Sequence, residues 1–343
     1  VGGAVTLAAL LAVPAEAGAL SPGDWAGVIA AARAEQLLGA LACRLSGIAV
    51  PERAGAILHD ARDMAAESRR AALWEAEMAR RVLAPLGVPV VLLKGTAFVA
   101  GGLAAGQGRM IGDLDLLVPR AALADVERAL LAAGWEWAKP NAYDDGYYRR
   151  WMHELPPLLH RDRDRLIDVH HTILPPTARI TPDADALLAG AHRLGNGLSI
   201  PAPEDMVVHA AIHLLADGDL AGGLRNLWDI DRLLFEFGEE DNAFWSRLRA
   251  RAALHQAGGV VARAVRLSHA LFGTAVPEEW GGLRPGDAWF RRRLLARDEW
   301  GRETRAATRA AFYIRSHWMR MPPPLLARHL AIKAWKRVAP ARS

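Results

Sequence analysis

A mixed α/β core set between two helical regions is the fold class that the sequence predicts. Three observations carry the prediction. Residues 1–86 keep apolar side chains at helical spacing, residues 87–175 break into short β-branched and leucine runs punctuated by turns, and helical spacing returns over 176–343. The expected organisation is an N-terminal helical region (1–86), an α/β core (87–175) and a C-terminal helical domain (176–343).

The opening stretch "VGGAVTLAALLAVPAEAG" lacks a positively charged segment before its apolar run. Pro14 and Glu16 cut that run well short of the ~20 residues a bilayer span needs. It reads as a helical start, not as a signal peptide or a span. "SPGDWAGVIAAARAEQLLGALACRL" opens with a helix-start signal, and "ILHDARDMAAESRRAALWEAEMARRVLAPLG" is a long helix ended by Gly87. The texture changes at "VPVVLLKG" (88–95), which reads as a buried strand. A small-residue helix, "TAFVAGGLAA", follows; "DLDLLV" is a second strand and "AALADVERALLAAG" a helix closed by Gly134. "YYRRWMHELPPLLH" and "RLIDVHHTIL" read as two further strands joined at the polar turn "RDRD". Helices resume with "PAPEDMVVHAAIHLLAD", whose Pro and acidic first turn suit a helix N-terminus, then "LRNLWDIDRLLFEF", "FWSRLRARAALHQ", "VVARAVRLSHALFG" and an Arg- and Trp-rich tail over 303–337.

Composition bounds the function. The chain is 52% apolar and 23% charged with a formal charge of only +4, which suits anionic substrates such as nucleotides without demanding nucleic acid. Cys43 is the only cysteine, so neither an intrachain disulfide nor a cysteine metal cage can form, and a reducing cytoplasm is the expected compartment. No membrane span is expected, and the oligomeric state is left open.

The chemistry concentrates in "IGDLDLLV" (111–118), where two aspartates stand in an otherwise apolar run. Burying neighbouring like charges is costly without a compensating cation. On a strand Asp113 and Asp115 share one face, while Leu114, Leu116 and Val118 take the other. Asp168 in "LIDVHH" is a third carboxylate inside an apolar strand. Three aspartates on adjacent strands are a seat for hard divalent cations, and could hold two about 4 Å apart for in-line phosphoryl displacement. By spacing alone D-x-D is a common pattern, and the alternative makes Asp113 a cap and Asp115 a surface residue. Asp229 and Asp231 in "LWDIDRLL" have the same spacing but a helical period, which turns them apart and makes them structural. Upstream, "LLKGT" sets Lys94, Gly95 and Thr96 where strand turns into helix; Gly95 permits close backbone approach, and a helix start offers N–H groups to phosphate.

Taken together, "LLKGTAFVAGGL…GRMIGDLDLLV…IDVHH" resembles the uncharacterised nucleotidyltransferase family of the DNA polymerase beta superfamily. The matching features are Lys-Gly after the first strand, an Arg shortly before Gly-Asp-x-Asp-Leu-Leu-Val, and a later Asp-x-His strand. The resemblance is strongest over about 87–172 and continues through "PEDMVVHAAIH" and "LRNLWDIDRLL". Thr96 stands where the superfamily usually has Ser or Gly, and residues 97–112 make a longer gap than in its compact members. The resemblance implies a nucleotidyltransferase α/β core with a mixed sheet. It implies transfer of NMP from NTP to an acceptor, with release of pyrophosphate. Asp113, Asp115 and Asp168 would bind Mg²⁺ or Mn²⁺, and Asp168 could also help deprotonate the acceptor hydroxyl. Lys94, Gly95, Thr96 and Arg109 would bind the nucleotide, Arg109 as a flexibly placed phosphate clamp.

His170 shares the Asp168 face and could orient that carboxylate or touch substrate; a satisfied core histidine is the alternative. His209 and His213 lie at i, i+4 without a metalloprotease Glu or an evident third ligand, so packing or hydrogen bonding is expected in place of zinc. Two rival functions remain. One is a catalytically silent nucleotide-binding or interaction protein on the same fold. The other is an RNA-modifying transferase using "RSHWMRMPPPLLARHLAIKAWKR", although the modest charge favours an amphipathic helix with Trp and Leu packed inward. The acceptor (small molecule, peptide or protein) and the choice of NTP are not encoded in any motif, and nucleic acid is not the expected partner.

Overall fold

In the computed structural model, residues 2–138, 151–241, 243–323 and 326–327 are described. Helical spacing at the N-terminus becomes α1 (Gly3–Ala12), α2 (Pro22–Ala34) and α3 (Leu38–Arg44), followed by the 32-residue α4 (Glu52–Leu83). Ser21 starts α2 with a capping box: its hydroxyl accepts from the Asp24 N–H, and the Asp24 carboxylate accepts from the Ser21 N–H. Gly87, with φ +65°, closes the turn after α4 as its position in the sequence predicts.

The core is a seven-stranded mixed sheet. In chain order its strands are β1 (Val91–Leu92), β2 (Asp113–Leu117), β3 (Trp135–Trp137), β4 (Leu158–His160), β5 (Leu166–His170), β6 (His192–Arg193) and β7 (Ser199–Ile200). They lie in the order β3-β4-β5-β2-β1-β7-β6. β2 and β5 are parallel neighbours at its centre, and β1 pairs antiparallel with β2 and parallel with β7. Between strands sit α5 (Lys94–Ala100), α6 (Leu123–Ala132) and α7 (Ala184–Ala189).

Several elements differ from expectation. The strand predicted over 88–95 contracts to Val91–Leu92, because helix α5 already begins at Lys94. Only Leu158–His160 of the predicted "YYRRWMHELPPLLH" strand is regular; Pro156 and Pro157 lack the N–H groups a ladder requires, and residues 147–150 fall outside the described residues. The sheet also reaches past residue 175, since β6 and β7 were not foreseen; each is only two residues long and carries no periodicity.

α4 fixes this sheet at two points. Its buried stripe is largely alanine (Ala54, Ala61, Ala65, Ala72, Ala76, Ala79), which allows close approach. Ser68 on that stripe donates to the Ile111 carbonyl (3.2 Å) and accepts from the Ile111 N–H (2.9 Å), pinning the lead-in to Asp113. Glu75 takes Arg163 of the β4–β5 turn in a two-pronged pair of 2.7 and 2.9 Å. Upstream of β2, Gly108 (φ +67°) lies so close to Gly39 that a Cβ at either would strike the other's backbone, which locks α3 against the loop entering β2.

The C-terminal helices are α8 (Pro203–Ile212), α9 (Gly223–Glu240), α10 (Phe244–Leu254), α11 (Gly258–Phe272), α12 (Asp287–Leu294) and α13 (Ala306–Arg320). One apolar core runs from Ala4 through the sheet to Phe312, so the flanking helices and the sheet share it. On α13 Phe312 is buried, but Trp318 is 43% exposed, against the expectation that the tail packs its Trp inward. Arg179 covers its ring at 4.0 Å and donates to its carbonyl, which satisfies the aromatic face without burying it. Residues 328–337 of the expected tail helix lie outside the described residues.

Candidate active site

Parallel pairing of β2 with β5 sets Asp115 directly opposite Asp168, with Asp113 two residues earlier on the same face as Asp115. Oxygen atoms of the three carboxylates lie within 4.8 Å of one another. Asp113 is exposed, Asp115 buried and Asp168 intermediate. The strand spacing read from the sequence therefore produces a convergent site.

Charge compensation comes from the neighbours. Asp115 Oδ1 accepts from Lys94 Nζ at 2.6 Å and is 2.9 Å from His170 Nε2. Burial alone would raise the Asp115 pKa, but the Lys94 ammonium and the His170 hydrogen bond outweigh it and hold the carboxyl far below its ordinary range. Lys94 in turn is half-buried, and its desolvation disfavours the charge, yet Asp115 raises its pKa above the ordinary lysine value. Asp168 has the opposite fate. Burial, followed by repulsion from Glu154 and Asp115, pushes it up to about 7. Its Oδ1 is buried with no hydrogen-bond partner. An orphaned carboxylate oxygen, converging with two more hard oxygen donors, fits a divalent cation.

A cavity of about 700 Å³ opens from Asp113 and Asp115 toward α8 and α9. Lys94, Gly95 and Arg109 line it, with His209 and His213 from the helical side. Thr96 does not: it is 1% exposed within α5, since a helix starting at Lys94 turns its third residue into the core. Arg109 is not the flexible clamp expected from the sequence. It is buried and ion-paired with Asp229, and a Cβ at Gly95 would collide with its side chain, so Gly95 is where the guanidinium passes. His209 is buried and kept neutral by that burial and by the neighbouring Lys94. His213 stands 3.6 Å from Asp217 across a π-helical turn (His213–Asp217), and the pair shows no third ligand among the described residues.

Two residues of the site escape sequence reading. Arg225 on α9 lines the cavity and has no ion pair within 4 Å among the described residues; Asp229, Asp113 and Glu35 act on it from further away. In sequence it is one more charge on an amphipathic helix. Glu154 forms an isolated bridge to His170 and presses on Asp168 electrostatically, but it sits in "MHELPP", which has no strand period to reveal its direction.

The second D-x-D pair splits as a helix dictates, but only Asp231 is remote from the cavity. It is fully buried and pairs with Arg232 and the Thr274 hydroxyl, whereas Asp229 lines the cavity under Arg109. Asp231→Asn should lower stability by about 1–3 kcal/mol by leaving the half-buried Arg232 underpaired, with nucleotide affinity unchanged. Asp229→Asn should instead strengthen nucleotide affinity, because an Arg109 without its counter-ion adds positive charge to the cavity wall. Chemical denaturation and NTP titration of both variants check this; a loss of affinity in either would contradict it.

A mixed sheet flanked by helices, with convergent carboxylates at its centre, is consistent with the α/β nucleotidyltransferase fold. The chain belongs to the uncharacterised nucleotidyltransferase family, whose model matches residues 21–273. That membership supports a general role in nucleotidyl transfer, with an acidic cluster able to bind metal. No curated protein matches the chain. No helix among the described residues is long and apolar enough to cross a membrane.

Proposed function

We propose that the protein transfers NMP from an NTP to a hydroxyl-bearing acceptor and releases pyrophosphate. The observation that carries this reading is the register that sets Asp168 opposite Asp115, with Asp113 on the same side. Asp113, Asp115 and Asp168 are the residues that would hold Mg²⁺ or Mn²⁺, which when bound neutralises the triphosphate and the charge developing in displacement. The acceptor oxygen forms a bond to the α-phosphorus as the bond from that phosphorus to the β-phosphate bridging oxygen breaks. Asp168, whose Oδ1 is buried without a partner, would take the hydroxyl proton. Lys94 holds Asp115 in position and presents its remaining N–H groups to phosphate. Arg225 supplies a cation toward the triphosphate, a role that Arg109, neutralised by Asp229, fills less well.

The acceptor is read as a small molecule, peptide or protein. A single cysteine fits a reducing compartment, and the cytoplasm is the location assigned here. Incubation with labelled NTPs, Mg²⁺ or Mn²⁺ and cell extract should label one acceptor class. Nucleotide binding without label transfer under every condition would favour the catalytically silent reading, and label in RNA the RNA-modifying one. Arg225→Gln should raise the KM for NTP about tenfold with kcat nearly unchanged, as loss of a ground-state charge contact does. An unchanged KM would remove Arg225 from the nucleotide site.

A further inference from the structure

Behind the carboxylates, on the side of His170 away from Asp115, lies a second group of convergent ligand atoms. His170 Nδ1 is 3.4 Å from Glu154 Oε2, and His153 Nε2 is 3.8 Å from the same oxygen. The ligand atoms of His153, Glu154 and His170 fall within 4.8 Å of one another. All three residues are largely withdrawn from solvent, and the two histidines are buried. His170 Nδ1 and His153 Nδ1 are both buried with no hydrogen-bond partner.

We propose that His153, Glu154 and His170 form a second cation site, selective for a borderline metal of the zinc class and distinct from the oxygen-only carboxylate site.

The hydrogen-bond pattern of His170 supports it. A metal-bound imidazole commonly donates its other N–H to a carboxylate, which fixes the tautomer and leaves the opposite lone pair for the metal. His170 has that arrangement: Nε2 faces Asp115 Oδ1 at 2.9 Å, so a proton there leaves Nδ1 as a bare lone pair aimed at Glu154. A lone pair facing a carboxylate at 3.4 Å repels it unless a cation stands between them. His153 adds a second nitrogen. Its ring is buried, Nε2 faces Glu154 at 3.8 Å, and Nδ1 has no hydrogen-bond partner. Ligands about 2.0–2.1 Å from a tetrahedral zinc stand about 3.4 Å apart, close to the spacings seen here. Charge favours a cation too, because Asp113, Asp115 and Glu154 act on the one ammonium of Lys94, while Asp168 meets Glu154 and Asp115 of its own sign.

The two sites differ in chemistry. Three aspartates are hard oxygen donors suited to Mg²⁺ or Mn²⁺, whereas two imidazoles and one carboxylate suit zinc, cobalt or nickel and leave an open coordination position. The inference goes beyond nucleotidyl transfer and does not depend on it. His170 is the hinge between the sites, so filling the second would fix the orientation of Asp115 through that ring.

Cobalt(II) makes the site visible without nucleotide or turnover. Titrating the full chain with Co²⁺ alone should develop visible absorption bands of nitrogen and oxygen ligation at one equivalent, and Zn²⁺ should displace them. Glu154→Gln and His153→Gln should each weaken Co²⁺ affinity at least tenfold, with folding verified by circular dichroism. Asp113→Asn should leave the bands in place. Absence of bands, bands that survive the Glu154→Gln/His153→Gln double variant, or bands lost in Asp113→Asn alone would overturn the second site. None of those results would alter the reading of nucleotidyl transfer, which is tested by label transfer.

Discussion

Asp115→Asn is expected to abolish metal-dependent NTP binding and to destabilise the protein at once. The two effects have separate causes. Loss of a carboxylate removes a hard ligand and a charge from the cation site. It also removes the negative charge that Lys94 Nζ and His170 Nε2 share, in a place where the Asp115 side chain is 3% exposed. Breaking one member of a buried charge pair costs about 3–5 kcal/mol. The pH dependence follows from the depressed folded-state pKa of Asp115. Such an acid stabilises the fold above its unfolded value of about 3.9, and that contribution is lost as pH falls toward its lower folded value. Melting curves should therefore separate wild type from the variant at pH 5–7 and draw them together below about pH 4. Asp113→Asn is the control: Asp113 is exposed, so the fold should stay intact or gain slightly from relieved repulsion, while metal-dependent NTP binding is still lost. Calorimetry showing unchanged metal–NTP affinity in the Asp113→Asn/Asp115→Asn double variant would sink the assignment of both.

Asp168→Ala should leave NTP affinity within a few-fold and cut turnover about 100-fold or more, the range for a positioned base. Among the described residues no ion pair joins Asp168 to Arg165, the structural partner the sequence offered as an alternative. Asp168 instead meets Glu154 and Asp115, both of its own sign. A carboxyl raised to about 7 costs stability as pH rises from its unfolded value toward 7, and that cost is complete above it. In metal-free protein Asp168→Asn should thus stabilise the fold at pH 8 by roughly 4 kcal/mol, read as a raised melting temperature, and change it little below about pH 4. A structural carboxylate would behave oppositely, losing stability, affinity and activity in step. Wild-type turnover in a folded Asp168→Ala protein would remove it from the chemistry.

How much of this was legible in the sequence depends on local regularity. Asp113 and Asp115 could be placed because a strand has a two-residue period and their neighbours are apolar; Asp168 and His170 followed from the same rule on β5. The α/β core between helical regions was legible for a similar reason, as was the helix start at Ser21. What failed lacks a period. β6 and β7 are too short to show one, and Glu154 lies in a proline-interrupted stretch. Arg109 and Arg225 failed differently. Whether an arginine on a loop or helix is solvated or buried depends on what packs over it, and that partner, Asp229 for Arg109, is far along the chain. Thr96 was misplaced by a shift of helix start of two residues, which rotates a side chain from the cavity wall into the core.

The Arg109–Asp229 pair spans 120 residues of sequence. On a ribosome adding about 5–20 residues per second, that separation amounts to roughly 6–24 s during which Arg109 has been made and its counter-ion has not. Until α9 arrives, the guanidinium that passes beneath Gly95 has no carboxylate to draw it inward, and one wall of the cavity is missing. Asp113 and Asp115 reach the nascent chain well before the helical side of the pocket they line, so a nascent core ending short of α9 would hold its acidic cluster beside an unfinished wall, and nucleotide capture would have to wait for the helical region to dock.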